Sequence, residues 1–133
     1  MREDLGIFEF GFNRVRIYAV DGLGGAFRVL PKKKDEVPYI EIGMDATADN
    51  EIDILNVFLH EAFEFLSTKY LVRYELADRM ATGHDRYTFI FNHYQFSELM
   101  FSLADGIISA YPTVKRYWRR HLRSKEKQEN KEK

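Results

Sequence analysis

The chain has 133 residues, of which 45% are hydrophobic and 31% charged, a composition typical of one globular domain. Because it contains no cysteine, we exclude a disulfide scaffold, a thiolate zinc site and a cysteine nucleophile. The net charge of −1 is unevenly distributed, since residues 115–133 hold nine lysines and arginines against three glutamates and the rest of the chain is acidic.

The sequence pattern of the N-terminal third of the chain predicts β-strands. Residues 7–12 and 15–20 alternate apolar with polar or small side chains, the period of a half-buried strand. The glycine-rich sequence DGLGG that follows could cradle a phosphate, but no Lys-Ser or Lys-Thr comes after it, so we favour a turn. Residues 37–43 are again strand-like, and Pro38 places them at an edge or a strand start. We therefore expect a small, mainly antiparallel sheet over residues 7–43.

A helix is predicted over residues 50–72, capped by Asp49 or Asn50. Its apolar residues recur at spacings of three and four and form one expected buried face: Ile52, Leu55, Leu59, Ala62, Phe63, Leu66 and Tyr70. Residues 73–88 are polar without a clear period, which favours a short helix followed by a loop.

A second helix is predicted over residues 93–111. Asn92 and Gln95 have the spacing of a capping box, and Pro112 follows the expected end. Its expected buried face comprises Phe96, Leu99, Met100, Leu103, Ala104, Ile107, Ile108 and Tyr111. The basic tail, residues 115–133, would begin as an amphipathic helix and become disordered beyond Ser124. Strands followed by helices indicate an α+β domain over residues 1–114.

The predicted first helix contains a cluster of candidate metal ligands. His60 and Glu64 are four residues apart, so a helix presents a nitrogen and a carboxylate to one cation, with Glu61 rotated by about 100° beside them. This is the arrangement of the H-E-x-x-H zinc helix, in which the glutamate activates a metal-bound water, with Glu64 in place of the second histidine. A carboxylate is a competent zinc ligand, so we expect zinc as the cofactor.

A third ligand has to come from elsewhere in the chain. His93 is the best placed, because counting back along the second helix puts it on the expected apolar face, toward the first helix. His84, in a polar loop, could reach the site if that loop folds over it. His121 lies among arginines, whose charge opposes cation binding.

The segment LHEAFEF, followed about thirty residues later by NHYQFSELMFSLADGI, resembles small phage and prophage proteins of the zincin-like metallopeptidase type. The resemblance covers roughly residues 37–111. It implies His60, Glu64 and His93 as zinc ligands, Glu61 as the general base, and a peptide or protein as the substrate. It also implies a phage- or prophage-encoded enzyme.

A non-enzymatic binding or assembly protein is the alternative, in which His60, Glu61 and Glu64 form a structural polar stripe. In that case the basic tail, with Tyr117 and Trp118 among its cations, could stack on single-stranded bases. We favour an ordinary solubilising tail. No apolar stretch is long enough to span a membrane and the N-terminus is not typical of a secretory signal, so we expect a cytoplasmic protein without membrane contact.

Overall fold

Strands dominate the first third of the chain and helices the rest, as the sequence predicts for an α+β fold. The computed structural model describes residues 1–30, 33, 36–46, 51–75 and 87–133. In chain order the elements are β1 (Arg2–Phe10), β2 (Asn13–Val20), β3 (Gly25–Arg28), β4 (Tyr39–Gly43), α1 (Glu51–Lys69), β5 (Arg73–Glu75), β6 (Tyr87–Phe89) and α2 (His93–Glu132).

The main sheet has the strand order β1-β2-β4-β3. β1 pairs with β2 and β3 with β4 in antiparallel fashion, which agrees with a mainly antiparallel sheet. β2 and β4, however, are parallel, with Ile17 beside Ile40 and Ala19 beside Ile42. The chain inserts β4 between β2 and β3, so β3 becomes an edge strand. The predicted turn is confirmed, since residues 21–24 join β2 to β3.

The buried face of α1 is rotated from the predicted one. Its buried residues are Ile54, Phe58, Glu61, Ala62, Phe65, Leu66 and Ser67. Ile52, which we expected in the core, is 64% exposed. Phe58 and Phe65 are fully buried, and these two large rings set the orientation of the helix because they remove the most apolar surface from water. As a result Glu61 lies on the core side of α1 and His60 on its exposed side.

The second helix does not end at Tyr111 but continues through Pro112 and past Ser124 to Glu132. A proline inside a helix removes one backbone hydrogen bond. Val114 and Trp118 are buried beyond it, and this packing keeps the helix continuous. The predicted capping box between Asn92 and Gln95 is confirmed.

The predicted apolar face of α2 is also displaced. The buried residues are Leu99, Ser102, Gly106, Ala110, Val114 and Trp118, whereas Phe96 and Ile108 are exposed. Small side chains let α2 approach β1 closely. A Cβ on Gly106 would stand 2.1 Å from Phe10 Cδ1, so only glycine fits at this contact.

A second, two-stranded sheet follows α1. β5 and β6 are antiparallel, with Tyr74 opposite Thr88. The expected helix at the start of residues 73–88 is therefore wrong for residues 73–75, which form β5. His84 and the expected cap at Asp49 or Asn50 lie outside the described residues. Of the helices in the described part of the chain, none is long and apolar enough to cross a membrane.

Candidate metal centre

Three side chains of α1 converge as the sequence predicts. His60, Glu61 and Glu64 each offer one ligand atom, and these atoms all lie within 4.8 Å of one another. The Nε2 atom of His60 lies 3.4 Å from Oε2 of Glu64, the contact expected for residues one helical turn apart. The regular geometry of α1 is therefore sufficient to bring together two potential ligands of a cation and a neighbouring carboxylate.

Glu61 is the buried member of the group, with a relative exposure of 6%. Its side chain packs against the edge strand, since a Cβ on Gly25 would stand 2.7 Å from Cγ of Glu61. Burial raises the pKa of this carboxyl above its ordinary value, and the charge of Glu64 acts in the same direction, while His60 and Arg73 oppose them. The rotation of α1 that buries Phe58 and Phe65 is what places Glu61 here.

His60 and Glu64 face outward from the same helix. The side chain of His60 is 63% exposed and that of Glu64 is 21% exposed. Both line an open groove of about 500 Å³ between α1, β6 and α2. Its other lining residues are mainly apolar: Asn56, Leu59, Phe63, Tyr87, Phe89 and Leu103. The groove thus combines two cation-binding side chains with an apolar wall, a typical composition of ligand sites.

Arg73 belongs to the site although nothing in the sequence marked it. Its Nη2 atom lies 3.6 Å from Oε1 of Glu64, so the two oxygens of Glu64 face two different nitrogens, one from Arg73 and one from His60. The guanidinium lies over the rings of Tyr87 and Phe27, at 3.6 and 5.4 Å from their centroids. Arg73 comes from β5, in a segment whose polar composition favoured a helix and a loop, so its contact with α1 required the tertiary structure.

The nitrogen Nε of Arg73 is buried and has no hydrogen-bond partner among the described residues. An unpaired buried donor costs about 1–3 kcal/mol. The ring contacts and the ion pair with Glu64 therefore hold Arg73 at the site in spite of this cost.

His93 is not a member of the group. It is the first residue of α2 and is exposed there. It precedes the buried Leu99 by six residues, about 120° around the helix, so the expected placement on the apolar face is wrong. His121 has a structural role away from the group, since its Nε2 lies 3.1 Å from Oδ1 of Asp45.

No protein-family model, curated protein or solved structure matches this chain. The functional argument therefore rests on the side chains and their arrangement. A nitrogen and a carboxylate oxygen are suitable zinc ligands, and catalytic zinc sites use three protein ligands with an open position. The described residues supply two of these, His60 and Glu64, together with a second carboxylate, that of Glu61, beside them.

Proposed function

We propose that this protein is a zinc-dependent hydrolase of the minimal metallopeptidase kind. His60 and Glu64 would bind the zinc, with Glu61 as the general base. The observation that carries the proposal is the convergence of these three side chains within 4.8 Å, with His60 and Glu64 on an open groove. The third ligand would be His84, the other candidate that the sequence offers, because His93 lies outside the group at the exposed start of α2.

Each residue has a distinct role in this proposal. A bound zinc ion would supply Lewis acidity and lower the pKa of its water toward neutrality. Glu61, wedged against Gly25, is held beside His60 and Glu64 and would accept the proton of the attacking water. The apolar wall of the groove would bind an apolar side chain of a peptide or protein substrate.

Two variants and one matched control test this proposal. Wild type, purified in zinc-supplemented buffer without chelator, should carry about one zinc per chain and cleave members of a peptide library. His60→Ala should lose the metal, whereas Glu61→Gln should keep the metal and lose hydrolysis. Glu126→Gln, in the exposed end of α2, removes the same charge away from the site and should retain both properties.

Two results would contradict the proposal. If the wild-type protein contains no metal after this purification, the chain has no zinc site. If it carries a full zinc ion but cleaves no peptide, the zinc site is structural and not catalytic.

A non-enzymatic binding protein is the second candidate, and Arg73 is the observation that favours it. The guanidinium of Arg73 lies 3.6 Å from Oε1 of Glu64 and can neutralise this carboxylate without a metal. In that case all of the variants above would remain folded and metal-free, which distinguishes the two candidates.

A further inference from the structure

The C-terminal half of α2 carries a stripe of cations on the side opposite its buried residues. At about 100° per residue, Arg116, Arg120, Arg123 and Lys127 fall within an arc of about 60°. Val114 and Trp118, which are buried, lie about 160° or more from Arg116 around the same helix. Glu126, Glu129 and Glu132 fall outside this arc. We call the four cations the basic stripe.

Acidic groups packed near this half of α2 are paired with cations from its flanks. Glu51 lies 2.6 Å from Nζ of Lys115 and 3.8 Å from Nη2 of Arg119. Asp45 is bonded by His121 and Lys125. These contacts satisfy Glu51 and Asp45 without using any member of the basic stripe.

The stripe itself has no acidic partner in the described part of the chain. Arg116 donates to the hydroxyl of Thr113 at 3.3 Å, and the guanidinium of Arg120 lies 5.8 Å from the ring centroid of Tyr117. The three arginines of the stripe line a shallow depression of about 540 Å³ with Arg119 and Thr113. The positive charge of this surface is therefore available to an external anion.

We propose that the basic stripe binds duplex DNA through its phosphates. Arginine is suited to this role because its planar guanidinium forms paired hydrogen bonds with phosphate oxygens. The stripe extends about 16 Å along the helix from Arg116 to Lys127. The major groove of B-DNA is about 12 Å wide and admits an α-helix, so cations at the two ends of the stripe can reach phosphates of both strands.

The aromatic residues of this half of α2 are poorly placed to stack on single-stranded nucleic acid. Trp118 is only 4% exposed, and its Nε1 donates to the carbonyl of Ala46 at 3.3 Å. The hydroxyl of Tyr117 donates to Glu3 at 2.5 Å. The buried Trp118 ring is therefore not free to stack on unpaired bases, which favours a duplex over a single strand. The major groove of duplex RNA is too deep and narrow for side chains to read, which favours DNA.

An anionic membrane is the less suitable partner. An interfacial helix inserts apolar side chains beside its cations. Here the apolar residues of the same segment, Val114 and Trp118, are buried in the core on the opposite side.

Fluorescence anisotropy with the full chain and a labelled 25-base-pair duplex tests the proposal. We expect binding at low salt. The logarithm of the binding constant should fall with the logarithm of the salt concentration with a slope of about −3 to −4, because each of the four cations that contacts a phosphate contributes about −0.9. The triple variant Arg116→Gln, Arg120→Gln, Arg123→Gln should bind at least tenfold more weakly. Circular dichroism should show unchanged helix content.

The matched control removes three cations elsewhere: Arg14→Gln, Lys33→Gln and Lys69→Gln, all exposed. It changes the net charge equally and should bind nearly as wild type. An equal loss in both variants, or no binding of wild type at 50 mM salt, would overturn the proposal. Tighter binding to phosphatidylserine vesicles or to polyglutamate than to the duplex would also overturn it. Zinc content should be unaffected, so this test is independent of the proposed hydrolase.

Discussion

Glu61 of α1 packs against Gly25 of β3 so closely that a Cβ on residue 25 would stand 2.7 Å from Cγ of Glu61. The same Cβ would lie 2.4 Å from the carbonyl oxygen of Glu41 on the neighbouring strand. This contact fixes the depth at which α1 crosses the edge of the sheet. It also determines where the proposed general base stands relative to His60 and Glu64.

Replacing Gly25 by alanine should therefore both destabilise the fold and disturb the centre. We expect Gly25→Ala to lower the free energy of unfolding by about 1–3 kcal/mol, since the added methyl meets backbone and side-chain atoms. Gly24→Ala is the matched control, because a Cβ there meets nothing within 4 Å. Urea unfolding monitored by circular dichroism measures the difference. Equal stability of the two variants would contradict the packing described for Glu61.

Arg73 should compete with a metal for Glu64. Arg73→Met keeps an unbranched apolar stem between the rings of Phe27 and Tyr87 while removing the charge. If zinc binds at His60 and Glu64, we expect its affinity to rise about tenfold, or about 1.4 kcal/mol. Isothermal titration calorimetry with zinc measures this change in affinity. The control is Arg14→Met, which removes a cation from an exposed position on β2. Weaker zinc binding in Arg73→Met would show instead that Arg73 positions Glu64 for the metal.

Asp45 should make the fold sensitive to acid. The hydrogen bond from Lys125 holds the pKa of Asp45 far below its ordinary range, and the bonds from the Gly22 amide and His121 add to it. Because the folded state favours the charged form, this stabilisation is complete above the ordinary pKa of about 4 and is lost progressively as the pH falls below it.

Asp45→Asn should accordingly lower the free energy of unfolding by about 1 kcal/mol at pH 7, a value reduced for partial exposure of the carboxylate. The difference from wild type should shrink below pH 4. Asp21→Asn, which removes an exposed pair with the N-terminus, should have little effect. A constant difference from pH 7 to pH 2 would contradict the assigned role of Asp45.

Gly106 should be indispensable to the contact between α2 and β1. Alanine normally stabilises a helix by about 1 kcal/mol over glycine. Here the added Cβ would stand 2.1 Å from Cδ1 of Phe10, which is fully buried, so we expect Gly106→Ala to destabilise the protein by at least about 2 kcal/mol. The exposed Ser97→Ala on the same helix should be neutral or slightly stabilising. A melting temperature of Gly106→Ala above that of the wild type would contradict this packing.

Local patterns in the sequence predicted several local features correctly. The succession of a small sheet and two main helices, the capping box of Asn92 and Gln95, and the pairing of His60 with Glu64 depend on residues within a few positions of one another. Helical spacing alone could not fix which side of α1 is buried. Leu59 and Phe58 are both apolar, and only the sheet opposite decides that the phenylalanine ring enters the core.

Nonlocal features could not be predicted. β2 pairs in parallel with β4 although β3 lies between them in the sequence, and the contact of Arg73 with Glu64 joins β5 to α1. The sequence predicts that Pro112 follows the end of a helix, but the burial of Val114 and Trp118 outweighs the lost hydrogen bond. It also predicts His93 on the apolar face of α2, whereas the buried face of this helix is rotated from the predicted one and His93 is exposed.

X-ray absorption spectroscopy of the zinc-loaded full chain tests the central claim most directly. The account predicts a shell of nitrogen and oxygen ligands at about 2.0–2.1 Å with an imidazole contribution that His60→Ala diminishes. Glu61→Gln should leave this shell unchanged, because Glu61 stands beside the metal in the proposal. A zinc spectrum identical in wild type and His60→Ala, or protein that retains no zinc after dialysis, would contradict the metal centre.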